Sequence, residues 1–193
     1  VCVLLLLLAL RLVWGEIAQR RVDAALAKIR SGGDPTTIDE LYPASDPDPR
    51  DNAVPIIQQA MAAMNTSVWS PRNSNSSIPP YPPYPRAWHQ MMDAAMQANA
   101  KSLALMRQAQ ALHHFYWPRP GGTTPPMGMP SMKSLSLARS LTNLLSDAAE
   151  DAAFRGDGML ALQRIAQVLQ IGDAIDAQHT LVSHLVAIGI HSL

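Results

Sequence analysis

Residues 131–155 and 158–172 repeat apolar side chains at the helical period, and only "RGDG" separates the two stretches. In the first, Leu135, Ala138, Leu141, Leu145, Ala148, Ala149 and Ala152 fall on one stripe. Lys133, Ser136, Asn143, Asp147 and Glu150 are expected to face away. In the second, Leu160, Ala161, Ile165, Val168 and Leu169 are expected inward, with Gln163, Arg164, Gln167 and Gln170 outward. So short a connection makes the two helices antiparallel neighbours. The longest helix is expected from Ala87 to about Phe115, on a stripe that includes Trp88, Met92, Ala95, Met96, Leu103, Met106 and Ala109. Asn99 lies in that stripe, where it either fixes register or bonds to a neighbouring loop. A shorter helix fits Asn52 to Met64, with Asn52 as cap and Pro55 in the first turn. Thr37 and Glu40 stand at capping-box spacing before a helix that must stop by Pro43. These patterns predict an all-α chain: an irregular helical bundle with an antiparallel hairpin near its end.

The N-terminus, "VCVLLLLLALRLVWG", is apolar except for Arg11. It is shorter than the roughly 20 residues that span a bilayer. A signal peptide has an apolar region of this length, but Trp14-Gly15-Glu16 offers no small-residue cleavage pattern. Trp14 stands where an interfacial aromatic belongs, and Arg11 has the reach to snorkel. Residues 1–15 are therefore expected to be a membrane anchor. The missing Met and the uncapped apolar end, "HTLVSHLVAIGIHSL", make the chain read as truncated at both ends. The expected organisation is an anchor at 1–15, a helical part with an acidic loop at 16–64, a linker rich in Pro, Ser and Asn at 65–86, and a helical bundle at 87–193.

Charged residues are 16% of the chain, against roughly a quarter in an average globular protein. Such a surface suits helices packed on helices. The 15 basic and 15 acidic residues cancel, which argues against a nucleic-acid partner. They are not evenly spread. Residues 34–51 carry one basic and six acidic groups, while residues 52–146 carry seven basic and one acidic. Two options follow: separately solvated faces, or acidic stretches docked on the basic one. The one cysteine, Cys2, excludes a disulfide framework and a thiolate zinc site.

No catalytic constellation stands out. There is no G-x-S-x-G elbow and no HExxH. "RPGG" and "SGGD" lack the Lys and Ser/Thr of a phosphate loop. His184 and His191 share a helix face, but His113 and His114 are adjacent and diverge. No cofactor, metal or catalytic residue is assigned. "IPPYPPYP" reads as an extended spacer or as a ligand for a proline-recognising groove.

"AAFRGDGMLALQRIAQVLQIG" resembles a tetratricopeptide-type hairpin through Gly156-Asp157, Ala161, Ile165, Val168 and Leu169. Val168 stands where that family prefers Ala, and one unit is visible where solenoids need three. The resemblance implies a helical hairpin of protein-binding style at 131–172 and carries over no catalytic residue. The wider layout resembles a group of bacterial single-anchor helical proteins of unassigned activity.

The function expected is that of a membrane-attached interaction or scaffold protein with a protein partner. Its contact residues are expected among Tyr81, Tyr84, Trp88, His114, Phe115, Tyr116 and Trp117, because aromatics anchor interfaces. Two alternatives stay open. One is an enzyme with a site between helices, built from His113, His114 and nearby carboxylates. The other is a fragment of a larger helical-repeat protein.

Overall fold

The computed structural model describes residues 2–41, 45–46, 48–68, 83–117 and 132–193, with all of their side chains except those of residues 2–9, 38–39 and 132. Among the described residues the regular structure is entirely helical, apart from an isolated β-bridge between Asn52 and His114. The all-α expectation holds. The chain divides into two compact units, Val1–Ala44 and Ser45–Leu193. Residues 45–64, grouped by sequence with the N-terminal helix, pack within the second unit.

The first unit contains α1 (Cys2–Ser31) and α2 (Ile38–Leu41). Gly33 ends α1 at φ +86°. Its N–H donates to Arg30 O, and Asp34 N–H donates to Ile29 O, so the last carbonyls of α1 are satisfied by a left-handed residue that glycine adopts without steric cost. The capping box forms as expected. Glu40 N–H donates to Thr37 Oγ1 at 3.2 Å, and the Glu40 carboxylate accepts from Thr37 N at 3.1 Å and Thr36 N at 2.6 Å.

The membrane anchor is overturned. The apolar run stops at Trp14, and Glu16, Arg20, Arg21, Asp23, Lys28 and Arg30 follow on the same helix. Among the described residues no helix is long and apolar enough to cross a membrane. The single-pass localisation falls with that finding.

The second unit is built from α3 (Val54–Ala62), α4 (Arg86–Ala98), α5 (Ala100–Ala109), α6 (Met132–Phe154), α7 (Gly158–Asp176) and α8 (Leu181–His191). Helix α6 lies in the middle, packed on α3, α4, α7 and α8. Its predicted stripe is buried throughout, and Leu144 is buried with it. Leu141 and Leu145 join the main core with Ile57, Met106, Val168, Ile171 and Ile190. Leu144 and Ala148 join a second cluster with Tyr84, Trp88, Met92 and Ala95. Arg155-Gly156-Asp157 makes the hairpin turn. Gly156 has φ +84°, Gly156 and Asp157 donate to Ala153 O and Ala152 O, and Asp157 Oδ1 caps α7 by accepting from Leu160 N at 3.0 Å.

Two sequence expectations meet a different outcome here. The single helix expected over 87–115 is broken at Asn99, whose backbone sits at φ −107° and ψ 17°. The fully buried Asn99 side chain accepts from Asn65 N at 2.7 Å and donates to Ala95 O at 3.0 Å. Of the two roles open to Asn99, bonding to the neighbouring loop is the one found. Beyond Ala109 the chain leaves the helix, and Gln170 of α7 donates to the carbonyls of Ala109 and Leu112. On α7, Ala161, Arg164, Gln167, Val168, Ile171 and Ile175 are buried, while Ile165 and Leu169 are exposed. The helix runs on to Asp176, so Ile171 and Ile175 extend the stripe through Ala161 and Val168. That stripe includes position 164, and the outer aliphatics are left in solvent.

The Glu40 carboxylate is held below the usual glutamate range, chiefly by the Thr36 backbone N–H and then by the Thr36 hydroxyl. A lowered folded value means that the cap is fully present above the ordinary glutamate pKa and is lost as pH falls through the depressed one. Amide shifts of Thr36 and Thr37 followed by NMR should therefore hold down to the ordinary range, move together below it, and be flat with pH in Glu40→Gln. Asn99→Ala should destabilise the chain by about 1–3 kcal/mol, because the Asn65 N–H and Ala95 carbonyl lose their buried partner. Urea unfolding checks this, and an unchanged midpoint would count against the loop-anchoring role of Asn99.

Candidate functional site

Helices α4 and α6 enclose a cleft of about 340 Å³ lined by Arg86, His89, Gln90, Asp93, Phe154 and Arg155. The stripe of α4 sets its floor. Trp88 is buried against Leu144 and Ala148, so the next residue, His89, is turned toward the C-terminal end of α6. There His89 Nδ1 lies 2.5 Å from Asp151 Oδ1. A carboxylate has no proton to give, so Nδ1–H is the donor. The same carboxylate takes Arg155 Nε at 2.8 Å through Oδ2. Arg155 Nη2 reaches back to Asp93 of α4 at 2.9 Å. Asp151, Arg155 and Asp93 thus alternate in sign across the seam, with His89 hydrogen-bonded at its end. Phe154 stacks on His89 at 4.9 Å between ring centroids, and Trp88 meets the same imidazole edge-on at 5.2 Å. The Arg155 guanidinium is held above its usual range, first by its hydrogen bond to Asp151.

This arrangement orients an imidazole as an acid–base pair requires, with a carboxylate on one nitrogen. Its other nitrogen, Nε2, is enclosed and has no hydrogen-bond partner among the described residues. Among the described residues no Ser, Cys or Thr lines the cleft. What the geometry supplies directly is an electrostatic latch between α4 and α6, with the Arg86 and Arg155 side chains at its mouth.

The residues expected to contact a partner fall into three places. Tyr81 lies outside the described residues. Tyr84 and Trp88 are buried side by side, with rings stacked at 4.1 Å, and the Tyr84 hydroxyl donates to Glu150. His114, Phe115, Tyr116 and Trp117 are half-buried in an extended strip that runs beside Asn52. Ala53 N donates to His114 O at 2.9 Å, and Asn52 Oδ1 accepts from Tyr116 N at 3.2 Å. The Trp117 indole N–H donates to Ala174 O at 2.6 Å. The structure thus brings together Tyr84 with Trp88, and separately His114 through Trp117, each pinned within its own seam. His113 and His114 are matched one to one with Asp51 at 3.6 Å and Asp46 at 3.2 Å. Acidic and middle stretches therefore do meet at this strip, through histidines. Among the described residues no three His, Cys, Asp or Glu side chains gather where they would hold a metal ion.

Ile165 and Leu169, which sequence patterning assigned to the core, lie instead on the outer strip of α7. Met159, Leu162, Ile165 and Leu169 are 79%, 63%, 47% and 45% exposed. They recur at helical spacing on one side of α7. Leu181, Leu185 and Ile188 form a similar exposed strip on α8. The signal for α7 was present in the sequence, since aliphatics occur on both of its faces. Which face is buried was not readable without the partner helices.

Comparison of the chain with protein-family models, with curated proteins and with solved structures finds no match.

The latch carries a measurable energy. Asp151→Ala should cost about 2–3 kcal/mol, since it removes charge-assisted bonds and strands His89. A double-mutant cycle of Asp151→Ala with His89→Ala, read by denaturant unfolding, should show a coupling of at least about 1 kcal/mol. Additive effects would mean that the two side chains do not act together.

Proposed function

We propose that the Ser45–Leu193 unit is a protein-interaction module of scaffold type, and that the outer strip of α7 is its docking face. The observation that carries this is the arrangement of α7 itself. Four large apolar side chains stand in solvent while Arg164 and Gln167 of the same helix are buried. Single exposed apolar residues are ordinary, but a row of them at helical spacing marks a surface meant for contact. The geometry suits recognition of an amphipathic helix laid along a helical groove.

The α6–α7 hairpin supports the same reading. Its Gly156-Asp157 turn, its close packing and its Ala161 on the inner face are those expected of a tetratricopeptide-type unit. Such units bind proteins, so we propose a hairpin of that style as the frame that holds the strip rigid.

A photo-reactive amino acid placed at Leu162 in cells should crosslink a discrete protein partner. The same probe at Lys101, an exposed polar position on α5, should not. Adding Ile165→Asp and Leu169→Asp should abolish the Leu162 crosslink while the unfolding midpoint changes little, as is usual for exposed sites. Equal crosslinking from Leu162 and Lys101, or a crosslink that survives both substitutions, would overturn the proposal.

A further inference from the structure

The Arg164 residue is only 4% exposed, yet no carboxylate pairs with it. Among the described residues its one hydrogen bond is Nη1 to Gln167 Oε1 at 3.0 Å, and its Nε is buried without a partner. The stretches outside the described residues of this unit, 69–82 and 118–131, contain no Asp or Glu. Every acidic side chain of residues 45–193 is therefore described, and none of them reaches Arg164. The neighbours are neutral amides or another cation. Gln110 Oε1 accepts from Gln163 and from Gln167, each at 3.3 Å. Burial, and then the positive charge of Arg107 on α5, hold the Arg164 guanidinium below its usual range. An ion buried without a counter-ion is costly to desolvate, and a bound anion would offset that cost.

We propose that the α5–α7 seam is a carboxylate-binding site, with Arg164 as its planar two-pronged donor and Arg107 as the second cation. Gln167 fixes the guanidinium, and Gln110 is bonded in turn to Gln167 and Gln163. A guanidinium is suited to this task because its fork matches the two oxygens of a carboxylate. The carboxylate comes either from a small dicarboxylic acid in solution or from a Glu or Asp side chain of a segment docked on α7. The second source rests on the docking face proposed above, while the site itself does not.

The test uses the full chain labelled with ¹⁵N at the arginine side chains, and the Arg164 Nε–H resonance is assigned by its absence from Arg164→Met. Glutarate titrated against chloride at matched ionic strength should move that resonance saturably and raise the thermal midpoint. Arg164→Met should abolish the midpoint response and, in chloride alone, unfold at a higher temperature than the parent chain. Arg107→Gln, an exposed change, should weaken the glutarate response several-fold without altering the fold, and it decides the matter if Arg164→Met does not fold. A Leu/Glu helical peptide and its Gln counterpart separate the sources. A response to the Glu peptide that exceeds that to glutarate, and is lost in Leu162→Asp, assigns the carboxylate to a docked segment. A response to glutarate alone keeps the site and assigns it to a free acid. No saturable shift from either probe, or the same shift in Arg107→Gln as in the parent chain, would overturn the site.

Discussion

Helix α6 is buried on two faces at once, and the second unit is organised around that fact. Leu141 and Leu145 point into a core shared with α3, α5, α7 and α8, and Leu144 and Ala148 point into a separate cluster with α4. A helix enclosed in this way has little room for long polar side chains on its covered faces, and its last turns accordingly place Ala148, Ala149 and Ala152 there. Alanine costs little helical propensity and lets neighbours approach closely. The acidic groups that do occur there, Glu150 and Asp151, each meet a donor from the α4 side, Tyr84 and His89. The central helix thus fixes both the apolar packing and the place where charge is tolerated.

Three of the other buried polar side chains tie loops and helices together. Asn52 bonds to Asp46, Val54 and Tyr116, so that one side chain joins three segments. Asn99 holds the chain after α3, and the Ser102 hydroxyl donates to the carbonyl of Ala60 at 2.8 Å. Each replaces a backbone partner that an irregular bundle would otherwise leave unmet. Arg164 departs from this pattern. It is as buried as these residues, but it serves no loop and neutralises no charge.

What was legible in the sequence follows from how many sides of each helix are covered. The stripe of α6 could be read residue by residue, because its apolar positions keep one period over the whole helix. Asp147 departs from it, since it is buried despite its expected outward place. The turn chemistry at Gly156-Asp157 and the Thr37–Glu40 box were equally readable, because they depend on neighbours in the chain. Helix α7 was not, since Leu162, Ile165 and Leu169 on one side rival Ala161, Val168 and Ile171 on the other. Periodicity alone ranks two such faces equally. The His89–Asp151 pair joins residues 62 apart in sequence, and no local motif announces a contact of that kind. The N-terminal run misled for a different reason. Its composition matched a membrane segment, while among the described residues no helix is long and apolar enough to cross one.

The α7 strip and the buried arginine also bear on each other energetically. Fully covering one aliphatic side chain is worth about 1.5–3 kcal/mol. Met159, Leu162, Ile165 and Leu169 start between 45% and 79% exposed, so covering all four yields roughly half of their combined maximum, about 3–7 kcal/mol. Association itself costs about 4–15 kcal/mol in lost translational and rotational freedom. The strip alone therefore supports only a transient encounter. A carboxylate delivered to Arg164 adds a charge-assisted, bidentate contact and relieves a charge that the fold leaves without a counter-ion. Apolar contact of this kind discriminates poorly among partners, whereas an unpaired buried cation rejects any segment that lacks the acid. Affinity on this helix would come from the aliphatic row, and selectivity from the arginine beneath it.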